Sequence, residues 1–296
     1  MRRRLGLLAA VLAIAFLGVA LWRGWSQATD YDWTLEPSLL VAGIGVLLVF
    51  YLASGLGYVA VIRALGAESV PPHRTLAIWA VSLLGRYVPG NALMVLGRME
   101  LGKDRGVSRR VSLAATVYEQ AFGLGLAAIG AAVYLARHSG VVPDAARWIV
   151  VVVPLGLVVL HPRIFGPVST RLLALARRPP LAKLIPARLV GALILWYALT
   201  ATLLALGVWL LVRSAVGDIS GGPVEVGGAF LLAFVLSMLV FIFPSGLGVR
   251  DGVFAAALAV SIPTGAAIAV SVGVRLVLTL VEVVAIGLMV VAARRS

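Results

Sequence analysis

The chain has 296 residues, of which 61% are hydrophobic and 12% charged, with a mean hydropathy of +1.06; this is a polytopic membrane protein with no stretch left for a soluble domain. It contains no cysteine, which excludes a disulfide framework, a thiolate nucleophile and a cysteine-based metal site. The net charge of +13 does not point to nucleic acid, because the basic residues fall in short loops between apolar runs, where they set topology and meet anionic headgroups.

Met1-Arg2-Arg3-Arg4 precedes an apolar run from Leu5 to Leu21. A cleavable signal peptide has a similar pattern, but the run is read as a first transmembrane helix with a cytoplasmic start. The loop from Trp22 to Pro37 carries Asp30, Asp32 and Glu36 against Arg23 alone, which suits the outer face. Leu39–Ile62 forms a second span, with Gly43, Gly45, Ala53 and Gly57 offering small-residue contacts to a neighbouring helix. Thr75–Gly97 is apolar but broken by Gly85-Arg86-Tyr87-Val88-Pro89-Gly90-Asn91; it reads either as one span holding an arginine or as a helical hairpin that dips into the bilayer and returns. The next spans are Val111–Leu135, Trp148–Leu160 and Leu189–Val212. Between the last two, Arg163–Arg188 mixes Leu172, Leu173, Leu175 and Leu181 with basic residues, and reads equally as an interfacial stretch or a connecting loop.

A second break follows, Phe243-Pro244-Ser245-Gly246-Leu247-Gly248-Val249-Arg250-Asp251-Gly252, flanked by the uncharged runs Ala229–Phe243 and Val253–Ile262. At about 1.5 Å per residue the downstream arm reaches roughly 15 Å, half of a hydrocarbon core of about 30 Å. The pair reads as a second hairpin, before a last span over Ala266–Ala292. Unwound backbone at that depth is tolerated only where protein or a wet cavity satisfies it, and a charge placed there is a functional-site hypothesis by default.

Loop charges favour hairpins over full spans. With two hairpins, 18 of the 25 basic residues fall on the cytoplasmic side (Arg98, Lys103 and Arg105 among them) and only Arg23, Arg137, Arg147 and Arg213 fall outside. The expected fold is therefore an all-α polytopic membrane protein with about six transmembrane helices plus two re-entrant helical hairpins in an inverted-topology repeat. In this division 1–38 holds the N-terminal helix and outer loop, and 39–136 the first repeat with its hairpin at 75–105. Residues 146–188 form a linking helix and basic cytoplasmic segment, and 189–292 the second repeat with its hairpin at 226–262. A sequence echo accompanies the repeat: Ser112, Thr116 and Glu119 follow the first hairpin, and Arg275, Thr279 and Glu282 the second, at the same spacing along one helical face.

Arg86, Arg250 and Arg275 and the acids Glu119, Asp251 and Glu282 all lie in the hairpins or in the helices that follow them, a balanced set within the apolar segments. Two readings stand: structural ion pairs, Arg86–Glu119 and Arg275–Glu282, that pin hairpins to helices, or a translocation site. In the second, the arginines meet a phosphate by bidentate hydrogen bonding, and the carboxylates balance charge or take up protons. His73, His138 and His161 are scattered over loops, and no HExxH, GxSxG or P-loop occurs, so neither metal, cofactor nor enzyme is expected.

Ser82-Leu83-Leu84-Gly85-Arg86-Tyr87-Val88-Pro89-Gly90-Asn91, then Arg98, Gly106-Val107-Ser108 and Glu119, and far downstream Pro244-Ser245-Gly246-Leu247-Gly248-Val249-Arg250-Asp251-Gly252, resemble the flippase-like membrane domain family of lysylphosphatidylglycerol synthases. The resemblance runs from about Leu39 to Ala292. It implies a lipid-translocating domain without the soluble aminoacyltransferase domain of the bifunctional members, so this chain is not expected to make lysyl-lipid. The family often has lysine where Arg86 stands and glutamate where Asp251 stands; both departures keep the charge and bear on substrate identity. The expected function is a flippase or scramblase for an anionic or aminoacylated phospholipid or a polyprenyl-phosphate-linked headgroup in the plasma membrane, with both termini cytoplasmic and a proton gradient or downhill scrambling both open. A membrane-embedded enzyme acting on a headgroup, or a non-catalytic partner presenting lipid to a synthase, are the alternatives. The oligomeric state stays open.

Overall fold

The computed structural model describes residues 25–87, 92–138, 148, 152–175, 177–219, 221–239 and 248–295. Every regular element among them is helical, and four helices are long and apolar enough to cross a membrane. The expected first span at Leu5–Leu21, residues 88–91 of the first break and residues 243–247 of the second lie outside the described residues.

After a short helix α1 (Trp25–Thr29), α2 (Pro37–Ala64) starts on a proline, whose missing N–H costs nothing in a first turn. Its 28 residues exceed the roughly 20 needed to span. The first broken segment follows as α3 (Pro72–Leu83), a 3-10 turn (Leu84–Tyr87) and α4 (Ala92–Lys103). At the turn α4 comes back so close that a Cβ on Gly85 would sit 2.5 Å from the Met94 backbone nitrogen. Only glycine fits there. α5 (Arg109–Arg137) is N-capped by Ser108, whose Oγ accepts from the Val111 N–H at 3.4 Å.

The expected span at Trp148–Leu160 is not seen as one helix among the described residues. Instead a 3-10 turn (Val153–Leu155) leads into a four-residue helix α6 (Gly156–Val159), because Pro154 withholds a backbone donor and Gly156 weakens helical propagation. The basic stretch after it is a helix, α7 (Pro162–Leu175), and residues 177–186 are irregular chain. α7 turns Phe165 and Gly166 inward and leaves Ile164, Val168, Leu172 and Leu175 exposed. α8 (Ala187–Val216) is the third long apolar helix. The second broken segment is α9 (Pro223–Leu239) and α10 (Val249–Leu258), and α11 (Thr264–Arg295) closes the chain. α10 opens on Gly248 at φ +82°, where its N–H donates to Asp251 Oδ2 at 3.2 Å. The left-handed φ suits glycine, and the aspartate at the third helical position satisfies an otherwise orphaned donor.

α2 and α8 run antiparallel. The Trp196 indole donates to the Ala53 carbonyl at 2.8 Å, while Gly43 lies against Gly207 and Leu211, and Gly207 against Leu47. Small residues let these backbones approach closely, the usual way helices associate where lipid competes for apolar surface. Around this pair the packing is reciprocal. α3 lies on α11, and α9 lies on α5; α3 meets α4 as α9 meets α10; α4 meets α5 as α10 meets α11. α2 touches α11 as α8 touches α5. On the α5–α9 contact, Gly130 faces Leu231, Tyr134 faces Gly228, and Arg137 bridges to Glu225 at 2.8 Å, so those two helices are antiparallel. Each broken segment thus leans on the long helix that follows the other one.

Candidate functional site

Three buried carboxylates organise the interior, one on each of α5, α10 and α11. Glu119 on α5 has both carboxylate oxygens bonded. Its Oε1 accepts from the Trp79 indole N–H at 2.7 Å and from Arg98 Nη2 at 3.3 Å, and its Oε2 accepts from Arg98 Nη1. Arg98 is 0% exposed. Its Nε donates to Ser82 Oγ at 2.8 Å, its Nη1 also reaches Thr116 Oγ1 at 3.4 Å, and its guanidinium lies 4.8 Å above the Tyr58 ring. This overturns two sequence expectations. Arg98 is not in a cytoplasmic loop, and Glu119 pairs with it rather than with Arg86, because α4 brings position 98 beside α5 while the 3-10 turn carries position 86 away to α11.

The second carboxylate, Glu282 on α11, gathers one oxygen only. Oε2 accepts from Tyr51 OH on α2 at 3.1 Å and Tyr87 OH on the 3-10 turn at 3.2 Å, with Arg86 Nη1 at 3.6 Å. Oε1 is buried and has no hydrogen-bond partner among the described residues. The expected Arg275–Glu282 pair is not found among the described residues. Arg275 instead bonds Asp251 Oδ2 on α10 at 2.5 Å, and Ser271 Oγ donates to the Asp251 carbonyl at 2.9 Å. Residues seven apart on α11 sit on one face but about two turns apart, so each meets a different neighbour.

Arg250 has no ion pair among the described residues. Its guanidinium lies 5.6 Å from the Phe230 ring centroid and its buried Nε lacks a hydrogen-bond partner. It is within electrostatic reach of Arg275, Asp251, Tyr51 and Arg86. Residues 88–91 and 240–247 contain no acid that would balance it. Arg86 and Arg275 are paired with Glu282 and Asp251, Arg86 also lies within electrostatic reach of Glu119, and Arg250 is left without an ion pair among the described residues. With Arg98 inside the protein as well, the balanced set expected from sequence becomes four arginines against three carboxylates. The Arg86 side chain is 33% exposed and that of Arg275 14%, whereas the Arg98 side chain is 0% exposed, so this second cluster is the open one.

Of the sequence-predicted site residues, the fold brings together Arg86, Tyr87, Gly248, Arg250, Asp251, Arg275 and Glu282, and sets Arg98 and Glu119 apart as a closed pair. Pro89, Gly90, Asn91, Pro244 and Gly246 lie outside the described residues. Sequence reasoning missed Tyr51, Tyr58, Trp79 and Phe230. Trp79 alone carried a signal, since it precedes Ser82 by three positions and so shares its helical face; the others are single aromatics in apolar runs. Among the described residues no group of histidines and acids is placed to hold a metal. No protein-family profile matches the chain, and no curated protein matches it.

Proposed function

We propose that this chain moves an anionic phospholipid, or a lipid carrying a phosphate-linked headgroup, between bilayer leaflets, with the phosphate passing over the cluster of Arg86, Arg250 and Arg275. The observation that carries the reading is Arg250. Its Nε is buried without a hydrogen-bond partner and the half-buried guanidinium forms no ion pair among the described residues, an arrangement that an anion would stabilise. Arginine matches a phosphate oxygen pair in its fork geometry, and the exposed flank of Arg86 leaves a way in.

The reciprocal packing of the two broken segments supports an inverted-topology repeat. α3 and α4 have 12 residues each and α10 has 10, lengths of about 18 Å and about 15 Å that fall short of a bilayer core of about 30 Å. This favours two re-entrant hairpins meeting near the midplane, within six spans whose termini are both cytoplasmic in the plasma membrane. The similarity of both break motifs to the flippase-like domain of lysylphosphatidylglycerol synthases points the same way. Rocking of one repeat against the other would expose the cluster to each leaflet in turn.

The test is leaflet exchange in proteoliposomes of the purified full chain. Fluorescent phosphatidylglycerol, aminoacylated phosphatidylglycerol and polyprenyl-phosphate lipids are compared with a neutral diacylglycerol. Exchange of phosphate-bearing lipids but not of the neutral one is expected. No exchange across the whole panel, or turnover of the headgroup by detergent-solubilised protein, would overturn the reading.

A further inference from the structure

Glu119 and Glu282 occupy matching places on α5 and α11. Each follows a hydroxyl three positions earlier, Thr116 or Thr279, whose Oγ1 donates back one turn, to the Ser112 carbonyl at 2.8 Å or the Arg275 carbonyl at 2.9 Å. The molecule therefore contains its own control. In Glu119 both oxygens accept hydrogen bonds and an arginine is locked against them. In Glu282, which is only 4% exposed, three groups crowd Oε2 and none meets Oε1. A buried carboxylate with one bare oxygen bears the full cost of that unsatisfied acceptor while it is charged, and much less once it is neutral.

We infer that Glu282 Oε1 is a proton-binding site and that one proton travels with each lipid anion. The step balances simply. A proton from water adds to Oε1, the carboxylate becomes a neutral carboxyl, and Arg86, held to Glu282 only by its 3.6 Å contact, is released to the phosphate beside Arg250. Loss of the proton on the other side restores the Arg86–Glu282 contact and expels the anion. The charge of the cluster with proton and lipid anion aboard equals that of the empty cluster, so the cycle is electroneutral. Groups facing Glu282 fit this role. Tyr51 of α2 and Tyr87 are neutral donors that stay bonded to Oε2, and Arg86 is, among the described residues, the only cation within ion-pair distance. Arg275 on its own helix and Asp251 of α10 neutralise one another, while Arg250 adds a further positive charge. On α3 the titratable side chains His73 and Arg74 stand at the end opposite Arg86, Tyr197 of α8 is buried in the interior, and α1 carries no titratable side chain. The partly exposed Tyr87 and Arg86 mark the route by which water reaches the carboxyl.

Glu282 has this role only if the chain moves lipid as proposed above, and one experiment separates the two failures. Native full-length chain is reconstituted in phosphatidylcholine vesicles with a fluorescent phosphatidylglycerol probe, and the interleaflet distribution is read under a pH gradient or under a potassium-diffusion potential. One proton per lipid gives about a tenfold leaflet asymmetry for each pH unit and none for the potential. Glu282→Gln should equilibrate the probe without responding to the gradient. Exchange that follows the potential and ignores the gradient would overturn the proton site while leaving lipid movement intact; this arm uses native protein and needs no variant to fold. A native chain that moves no probe at any pH would overturn lipid movement and the proton site together.

Discussion

Glu119→Gln tests the division of the interior into a fully bonded ion pair and an open cluster. The substitution keeps the shape of the side chain but removes the charge that compensates Arg98, whose guanidinium is wholly enclosed. The Trp79 N–H can still donate to the glutamine carbonyl, and hydrogen bonds between membrane helices average about 0.6 kcal/mol, so any weakening there is modest. The stranded guanidinium decides the magnitude, because breaking a buried ion pair from one side costs about 3–5 kcal/mol. Replacing both partners, Arg98→Met with Glu119→Leu, leaves no charge behind and should recover most of that loss. Reversible unfolding in mixed micelles with increasing dodecyl sulfate, followed by tryptophan fluorescence, gives the stability of both single variants and the double variant. Leaflet exchange measured on the same samples should survive in the double variant. If Glu119→Gln unfolds at the native point but abolishes exchange, Glu119 belongs to the translocation path and the pin assignment is wrong.

Arg250→Ala is expected to keep or raise stability in the same unfolding assay, since it removes a half-buried cation that forms no ion pair among the described residues, while abolishing exchange of phosphate-bearing lipid. Gly85→Ala forces a methyl to within 2.5 Å of the Met94 backbone nitrogen, and the overpacking should cost about 1–3 kcal/mol, seen as an earlier unfolding midpoint. At the surface, a hydrogen bond from Lys183 holds the Glu68 carboxyl below its usual range. A depressed folded value means the contribution is present above the unfolded pKa and is lost as pH falls through the folded one. Lys183→Met should therefore narrow the stability difference between pH 7 and acid, by an amount that salt reduces. Because the chain has no cysteine, single cysteines at Arg178 and Arg213 report topology directly. An impermeant maleimide added outside intact cells should label Arg213→Cys and not Arg178→Cys.

The long helices were legible because length and uninterrupted hydropathy decide them. Leu39–Ile62, Val111–Leu135, Leu189–Val212 and Ala266–Ala292 each fall within an observed helix. In Trp148–Leu160, also apolar, the described part from Val153 to Val159 is a 3-10 turn and a four-residue helix around Pro154 and Gly156, where local backbone chemistry outweighs composition. Both interruptions were visible as glycine-rich polar runs. Which charges meet across them was not, because pairing depends on how far each arm swings: the tight return at Gly85 sends Arg86 to α11 and leaves Arg98 for Glu119. Arg98 looked like a loop residue because it begins a basic run that includes Lys103 and Arg105, and periodicity alone does not say where the helix leaves the interior. The donors on Glu282 were hidden for another reason. Tyr51 is 231 positions away in sequence, and nothing local marks a tyrosine in an apolar helix as a partner.

The most direct single measurement compares leaflet exchange of fluorescent phosphatidylglycerol by the native chain, Arg250→Ala and the Arg98→Met/Glu119→Leu double variant, all reconstituted at equal density. Exchange by the native chain and the double variant but not by Arg250→Ala is the expected result. Equal exchange by native and Arg250→Ala protein would contradict a phosphate path over the open arginine cluster.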